Sequence, residues 1–575
     1  MEPASICFIF QLSALNFELL YLSAIRPPET FTHGIHRGIS TFHLIALDYL
    51  LSTLQVLWRG GGCIMITRRQ FLSIAGGAAA GLVAHSLPTW GDPKGFRDSP
   101  GTKVGFDPDV EMRLTAMPTE VPLFKGSPTE VWAYRGELIK GPPESLVHLK
   151  DSFLGPVISV RKGQKIRVHF DNQIPASSII HWHGLHVPEE MDGHPRFAIP
   201  HGETYVYDFE IVDRPGTYWY HPHPHGRTAH QVYGGLAGLF LVTGDEEDNL
   251  NLPSGDHDIP LVIQDRSFSM DNQLVYLPGG MMDRMTGHMG NIILVNGRPD
   301  FALKAATQAY RLRILNGSNA RVHKLAWNDG SSLAVIGTDG GLLPEPIERS
   351  SVLIGPGERL DVWADFTRYS KGSGPKLVSR AFDAGTDGMM RHALPNGAPF
   401  DVMRVEIVQT EKERKRLPRR LTKESPPSAG AAGNSQRPRR FELSMFHMHG
   451  LINGRSFQMD QVADDEIVRA DTTEIWEFTN PGGRMGMMGM NVPHPMHVHG
   501  ARFRVLERTG ATQTGHQDEG WKDTVLLMPG ERVKLLIRFG TFSGLFLYHC
   551  HNLEHGDAGM MRNYLIRSER KMQLT

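Results

Sequence analysis

Three short stretches of the chain share one pattern of apolar and polar positions. "IRVHFDN" ends at Asn172, "RLRILN" at Asn316 and "EIWEFTN" at Asn480. In the first two, the residues alternate with period two, at Ile166, Val168 and Phe170 and then at Leu312 and Ile314, as in a strand with one buried face. Each stretch is followed by a turn signature: Pro200-His201-Gly202-Glu203, Pro356-Gly357-Glu358 and Pro529-Gly530-Glu531. Another alternating segment starts after each turn, such as "RVKLLIRF" at 532–539. The Asn-to-Asn spacings, 144 and 164 residues, are domain-sized. The pattern predicts an all-β chain of three tandem β-sandwich domains.

Changes in composition mark the boundaries. One falls near "TGDEEDNLNLPSGDHD" at 243–258, and another is the charged, Pro/Gly/Ser-rich segment 411–440, which reads as a flexible linker. The expected domains are 107–245, 255–410 and 441–570.

Composition supports this reading, since 61 Gly and 38 Pro in 575 residues suit a turn-rich β protein. A formal net charge of −2 leaves no footprint for nucleic acid or an anionic membrane surface, so neither is expected as a partner. Nothing in the body of the chain is apolar for long enough to anchor it in a bilayer, and a monomer is expected. The N-terminal region is different. Residues 65–92 open "MITRRQFLSIAGGAAAGLVA", and Arg68 and Arg69 ahead of an Ala/Gly-rich run resemble a twin-arginine signal for export of a folded protein. Residues 1–64 are then expected to be an extension upstream of a true start at Met65, and the mature protein to be periplasmic or secreted. Cys7 and Cys63 would be lost with this region, leaving Cys550 with no disulfide partner.

That cysteine lies in "YHCHNLEHGDAGMM", between His549 and His551. Paired histidines occur in three other places, at His181 and His183 ("HWHG"), His221 and His223 ("HPHPHG"), and His497 and His499 ("HPMHVHG", which also holds His494). On a strand, residues i and i+2 share a face, so each H-x-H presents two imidazoles side by side. The cysteine then points the opposite way while staying covalently joined to both flanking histidines. His494, Cys550 and His555 with Met560 make a His₂Cys set with an axial thioether, the blue-copper arrangement. Eight further histidines in four pairs would suit three more coppers.

In order and spacing these four motifs resemble the copper signatures of multicopper oxidases, the family of laccases, bilirubin oxidases and bacterial cuprous oxidases. The resemblance spans about residues 107–567 and includes "TDGGLLPEPIERSSVLIGPGERLDVWADF" in the middle repeat. It implies three cupredoxin-like Greek-key sandwiches and four copper ions: one type 1, one type 2 and a type 3 pair. By motif position, His181 and His497 would bind the type 2 ion, and His183, His221, His223, His499, His549 and His551 the type 3 pair. Asp192, in "EEMDG", matches the family's cluster carboxylate and is the expected proton relay, with Cys550 the electron conduit. The glutamate that follows the last histidine ligand in several relatives is replaced here by Gly556, with Asp557 next to it.

The reaction implied is one-electron oxidation of phenolic or aromatic donors coupled to four-electron reduction of dioxygen to water. Methionine-rich loops at Met281, Met282, Met285 and Met289, and at Met485, Met487, Met488 and Met490, keep open an alternative, a metallo-oxidase of Cu(I), Mn(II) or Fe(II). A third class, a non-catalytic cupredoxin scaffold, is disfavoured by the complete ligand set.

Overall fold

The alternating stretches are strands, and their alternation decides which face each buries. In Lys165–Asn172, Ile166, Val168 and Phe170 are fully buried while Lys165 is exposed. This strand lies between Val110–Val121, to which it runs parallel, and the antiparallel Thr204–Glu210. Its counterpart Ala309–Asn316 departs from the half-buried expectation, because every residue in it is buried. The polar face there is covered by ion pairs: Arg311 meets Glu247 and Asp361, and Arg313 meets Asp258. Buried arginines are tolerated when acids take up their N–H groups.

The structure is a computed structural model that describes residues 105–385, 394–412, 414–424, 429–446, 448–482 and 491–568. The expected extension and export segment therefore lie outside the described residues, as do His447 and the methionines at 485–490. Six sheets pair into three sandwiches, each around its own apolar cluster. Trp182 with Tyr207 and Phe240 centres the first; Trp327 with Phe366 the second; Trp476 with Phe478 and Tyr548 the third. A fully buried aromatic of this size stabilises by about 4–6 kcal/mol on area alone.

The threefold repeat has a hydrogen-bonding cause. Each terminal asparagine, Asn172, Asn316 and Asn480, donates its amide to two backbone carbonyls of neighbouring segments. Its own carbonyl accepts from the glycine of the turn: Gly202 at 2.6 Å, Gly357 at 2.9 Å and Gly530 at 2.9 Å. These glycines have φ of +83°, +85° and +86°, a backbone that an L side chain adopts only with strain. The Asn and the Pro-(x)-Gly-Glu turn are thus two halves of one clasp, made three times.

Part of the expected linker lies on the second sandwich. Leu421 is buried beside Leu252, Ile336 and Trp363, its N–H bonded to the Pro344 carbonyl, and Lys415 donates to the Leu252 carbonyl. Among the described residues no helix is long and apolar enough to cross a membrane.

Candidate metal centres

The first H-x-H lies on the strand Ile180–His183, which pairs antiparallel with Gly216–Pro222 so that His181 faces His221. In the third sandwich His494–Val498 pairs with Gly544–Cys550, putting His497 opposite His549. In three of the four pairs the residue between the histidines is the anchor, since Trp182, Val498 and Cys550 all turn into sandwich cores. The imidazoles consequently leave the two sandwiches on facing surfaces and meet. His181 stacks on His499 and His183 on His497, each with ring centroids 3.7 Å apart.

Hydrogen bonds assign a role to most ring nitrogens of this cage. The Nδ1 of His181 donates to the Asp192 carbonyl at 2.6 Å and that of His497 to the Asp523 carbonyl at 2.8 Å, leaving their two Nε2 atoms 3.3 Å apart. His499 Nδ1 donates to the Asp192 carboxylate at 2.8 Å, and its Nε2 lies 3.0 Å from His549 Nε2, which is itself 3.3 Å from His223 Nε2. A third set is orphaned: His183 Nδ1, His221 Nε2 and both nitrogens of His551 are buried with no partner. Ring nitrogens that face one another across the cage or are buried with no partner are what a set of cations would satisfy.

A second centre lies across the strand. Cys550 Sγ is 3.3 Å from His494 Nδ1 and 3.7 Å from His555 Nδ1, and those two nitrogens are 3.2 Å apart. The triangle suits one ion about 2.0–2.3 Å from each atom. His555 is aimed by its other nitrogen, which donates to the Met285 carbonyl at 2.9 Å. Met560 is fully buried in the same core, and its carbonyl accepts the Cys550 N–H at 2.9 Å.

Burial keeps these groups in the ligating form or one step from it. Loss of solvation pushes His221 and His497 down to about 3 and His549 and His555 to about 4, so the imidazoles are neutral. Burial also pushes the Cys550 thiol up, which a coordinating cation reverses by deprotonating it. The two aspartates of the cage diverge. With no cation beside it, burial drives Asp192 well above the carboxylate range. Burial pushes Asp523 the same way, but the adjacent Arg359 overrides it and holds the carboxyl below its ordinary value.

Asp192 is more than a turn residue. Gly193 after it, at φ +83°, packs so closely that an added Cβ would lie 2.7 Å from His181 Cα, and this contact brings the aspartate against the cage. Other histidines are held away from the cage. His186 and His201 bond to the carbonyls of Gly500 and Ile174, His225 packs on Phe457, and His449 is exposed. Asp557 accepts the N–H groups of Thr228 and Ala229 at 3.0 and 2.9 Å, capping the first-sandwich helix Thr228–Gly234. The helix Met281–Thr286 lies against the Cys550 centre: besides the Met285 contact, the Thr286 carbonyl accepts from Asn552. Its Met281 and Met282 are exposed, whereas Met289 is buried.

Comparison with known proteins agrees with this chemistry. Residues 133–247 and 431–570 each match a multicopper oxidase family model. The chain is 31% identical over 410 residues to the multicopper oxidase mco of Staphylococcus haemolyticus, covering 71% of this chain and 81% of that one. It is 29% identical to a laccase of Bacillus subtilis, covering 76% and 90%. The crystal structure of a multicopper oxidase from the hyperthermophile Aquifex aeolicus superposes with a TM-score of 0.68 at 37% identity, covering 80% of this chain and 97% of that chain. A cage of eight neutral imidazoles, a cysteine–histidine centre one strand-face away and these likenesses agree: the chain belongs to the multicopper oxidase family, copper-dependent oxidoreductases that use dioxygen.

Proposed function

We propose that the protein is a laccase-like oxidase of phenolic or aromatic donors. Four donors each give up one electron and one proton, and dioxygen takes four of each to leave as two waters. In this reading four coppers would bind: one held by His494, Cys550 and His555 with Met560, one by His181 and His497, and two by His183, His221, His551, His223, His499 and His549. Bound copper supplies one-electron acceptance at the first site and dioxygen reduction at the other three.

The observation that carries the reading is the placement of Cys550. Its sulfur lies in the His494–His555 triangle while its peptide neighbours His549 and His551 belong to the cage, so the backbone itself is the electron path. Asp192 supports the proton half. It lies 2.8 Å from His499 Nδ1, and burial raises its carboxyl above the ordinary value, so it is placed to exchange a proton beside the place where oxygen is reduced. The Arg68–Arg69 segment is proposed to carry the folded protein out of the cytoplasm.

One observation favours a second reading. Met281 and Met282 are exposed on the helix whose Met285 carbonyl holds His555, and thioethers are soft ligands suited to Cu(I). Dioxygen uptake by copper-loaded protein, given a simple phenol and then Cu(I), Fe(II) and Mn(II) separately, with Cys550→Ser as the blank, tests both. Fast turnover of phenol with slow metal oxidation supports a laccase, and the reverse a metallo-oxidase. No uptake with any donor would sink both readings and leave a non-catalytic scaffold.

A further inference from the structure

The cage takes all its histidines from the first and third sandwiches, yet one of its supports comes from the second. Asp523 bonds two of the histidines in different ways. Its carboxylate Oδ1 lies 3.1 Å from His183 Nε2, and its carbonyl accepts from His497 Nδ1 at 2.8 Å. Those oxygens only accept, so both rings must turn an N–H toward Asp523. The nitrogens left for a cation are then His183 Nδ1, which has no other partner, and His497 Nε2, which faces His181. Thr524 Oγ1 sits 3.0 Å from His183 Nε2 and donates to the same carboxylate oxygen at 2.9 Å.

The carboxylate is in turn held by Arg359. Nη1 donates to Oδ1 at 2.7 Å and Nη2 donates to Oδ2, a two-pronged grip that fixes the plane of the group as well as its place. The remaining bonds of the guanidinium reach the Thr217 carbonyl at 3.0 Å, the Gly357 carbonyl at 2.9 Å and the Asp339 carbonyl at 3.2 Å. One fully buried side chain therefore links the second sandwich to Thr217 of the first and Asp523 of the third.

Two glycines make room, one for the clamp and one for the rings it serves. A Cβ at Gly184, the residue after His183, would lie 2.5 Å from Asp523 Oδ2 and 2.7 Å from Arg359 Nη2. A Cβ at Gly357 would lie 3.0 Å from His551 Cγ and 3.2 Å from His183 Cε1. The turn itself does not call for the arginine. At the equivalent position the first repeat has Thr204, and the third has Arg532, which is 54% exposed and only 3.7 Å from Glu477.

We infer that Arg359 is a positioning residue of the histidine cage: by clamping Asp523 it sets which nitrogens of His183 and His497 face the metal. The ligand-free middle sandwich thus takes part in building the dioxygen site, an inference that rests on the copper reading above.

The test compares wild type, Arg359→Met and Arg359→Lys by copper content, type 2 electron paramagnetic resonance and the blue absorption of the Cys550 centre, with thermal unfolding of the copper-free forms as the folding check. Wild type must first show a blue centre and a type 2 signal, and their absence would refute the copper reading rather than this one. In Arg359→Met the blue centre should persist while affinity for cage copper falls on the order of 10–100-fold, the usual effect of losing such a partner. Arg359→Lys, with charge but no fork, should recover part of it. If Arg359→Met does not fold, the charge-neutral pair Arg359→Met with Asp523→Asn is read in its place and should show the same selective loss. Unchanged cage copper and type 2 signal in the folded variant, or equal loss at both centres, would overturn the inference.

Discussion

The three turn glycines provide an experiment with its own controls. Gly202, Gly357 and Gly530 share the same hydrogen bond to an asparagine carbonyl and nearly the same φ. An alanine in this left-handed region costs about 1–2 kcal/mol, less the few tenths that a stiffer unfolded chain returns. Around Gly202 and Gly530 an added Cβ meets nothing within 4 Å, so the conformational cost is the whole effect. Around Gly357 it meets His551 Cδ2 at 3.1 Å as well as the two contacts at 3.0 and 3.2 Å. Comfortable carbon contacts lie at about 3.5–4.0 Å, so the two rings must retreat by about 0.5 Å. That is near the tolerance of a preorganised ligand set. All three alanine variants should lose about 1 kcal/mol of stability in the copper-free form, measured by denaturant unfolding. Only Gly357→Ala should also release cage copper to a chelator, at least about tenfold more readily than wild type. If all three keep their copper equally well, the turn yields instead of the ligands, and the middle sandwich does not press on the cage as argued here.

Three further outcomes are expected. Burial raises the Asp213 carboxyl from 3.8 to about 6, so the folded state binds that proton more tightly than the unfolded chain; the stability this group contributes is present at low pH and lost as pH rises through about 6. Asp213→Asn keeps an acceptor for the His186 N–H and should gain up to about 3 kcal/mol at pH 7 and little at about pH 4; an equal shift at both pH values in urea titrations would refute the assignment. Leu421→Ala should cost about 2–5 kcal/mol, whereas a residue on a free linker would cost almost nothing, and thermal unfolding separates the two. Asp557→Ala should lose about 1–2 kcal/mol by stripping the cap from the helix Thr228–Gly234, with Asp557→Asn losing less because one acceptor remains; faster amide exchange at Thr228 and Ala229 in the alanine variant is the local check.

What the sequence revealed and what it hid follow from the range of the interactions involved. The H-x-H spacing is a local property of a strand, so the imidazole pairs and the opposite aim of Cys550 could be read directly, and the structure brings His181 to His497 and Cys550 to His494. The asparagine and turn repeat could be read for the same reason, although its cause, one clasp made three times, needed the hydrogen bonds. The half-buried expectation for Ala309–Asn316 missed because period two reports the polarity of a face and not whether another part of the chain covers it. Arg311 and Arg313 look like a solvent face until Glu247 and Asp258 close over them. Arg359 was hidden more deeply. "PGER" occurs in both the second and third repeats, and nothing within either repeat distinguishes the buried arginine from the exposed Arg532. The difference lies in Asp523 of "WKDT", 164 residues away, and in Gly184 behind His183. A ligand set can be written into one strand at a time, but the groups that orient it are chosen by whichever sandwich packs behind it. In this chain the supports of the cage come from all three sandwiches: Asp192 from the first, Arg359 from the second and Asp523 from the third. Removing the middle sandwich would therefore keep every predicted ligand in the chain and still disarrange the cage.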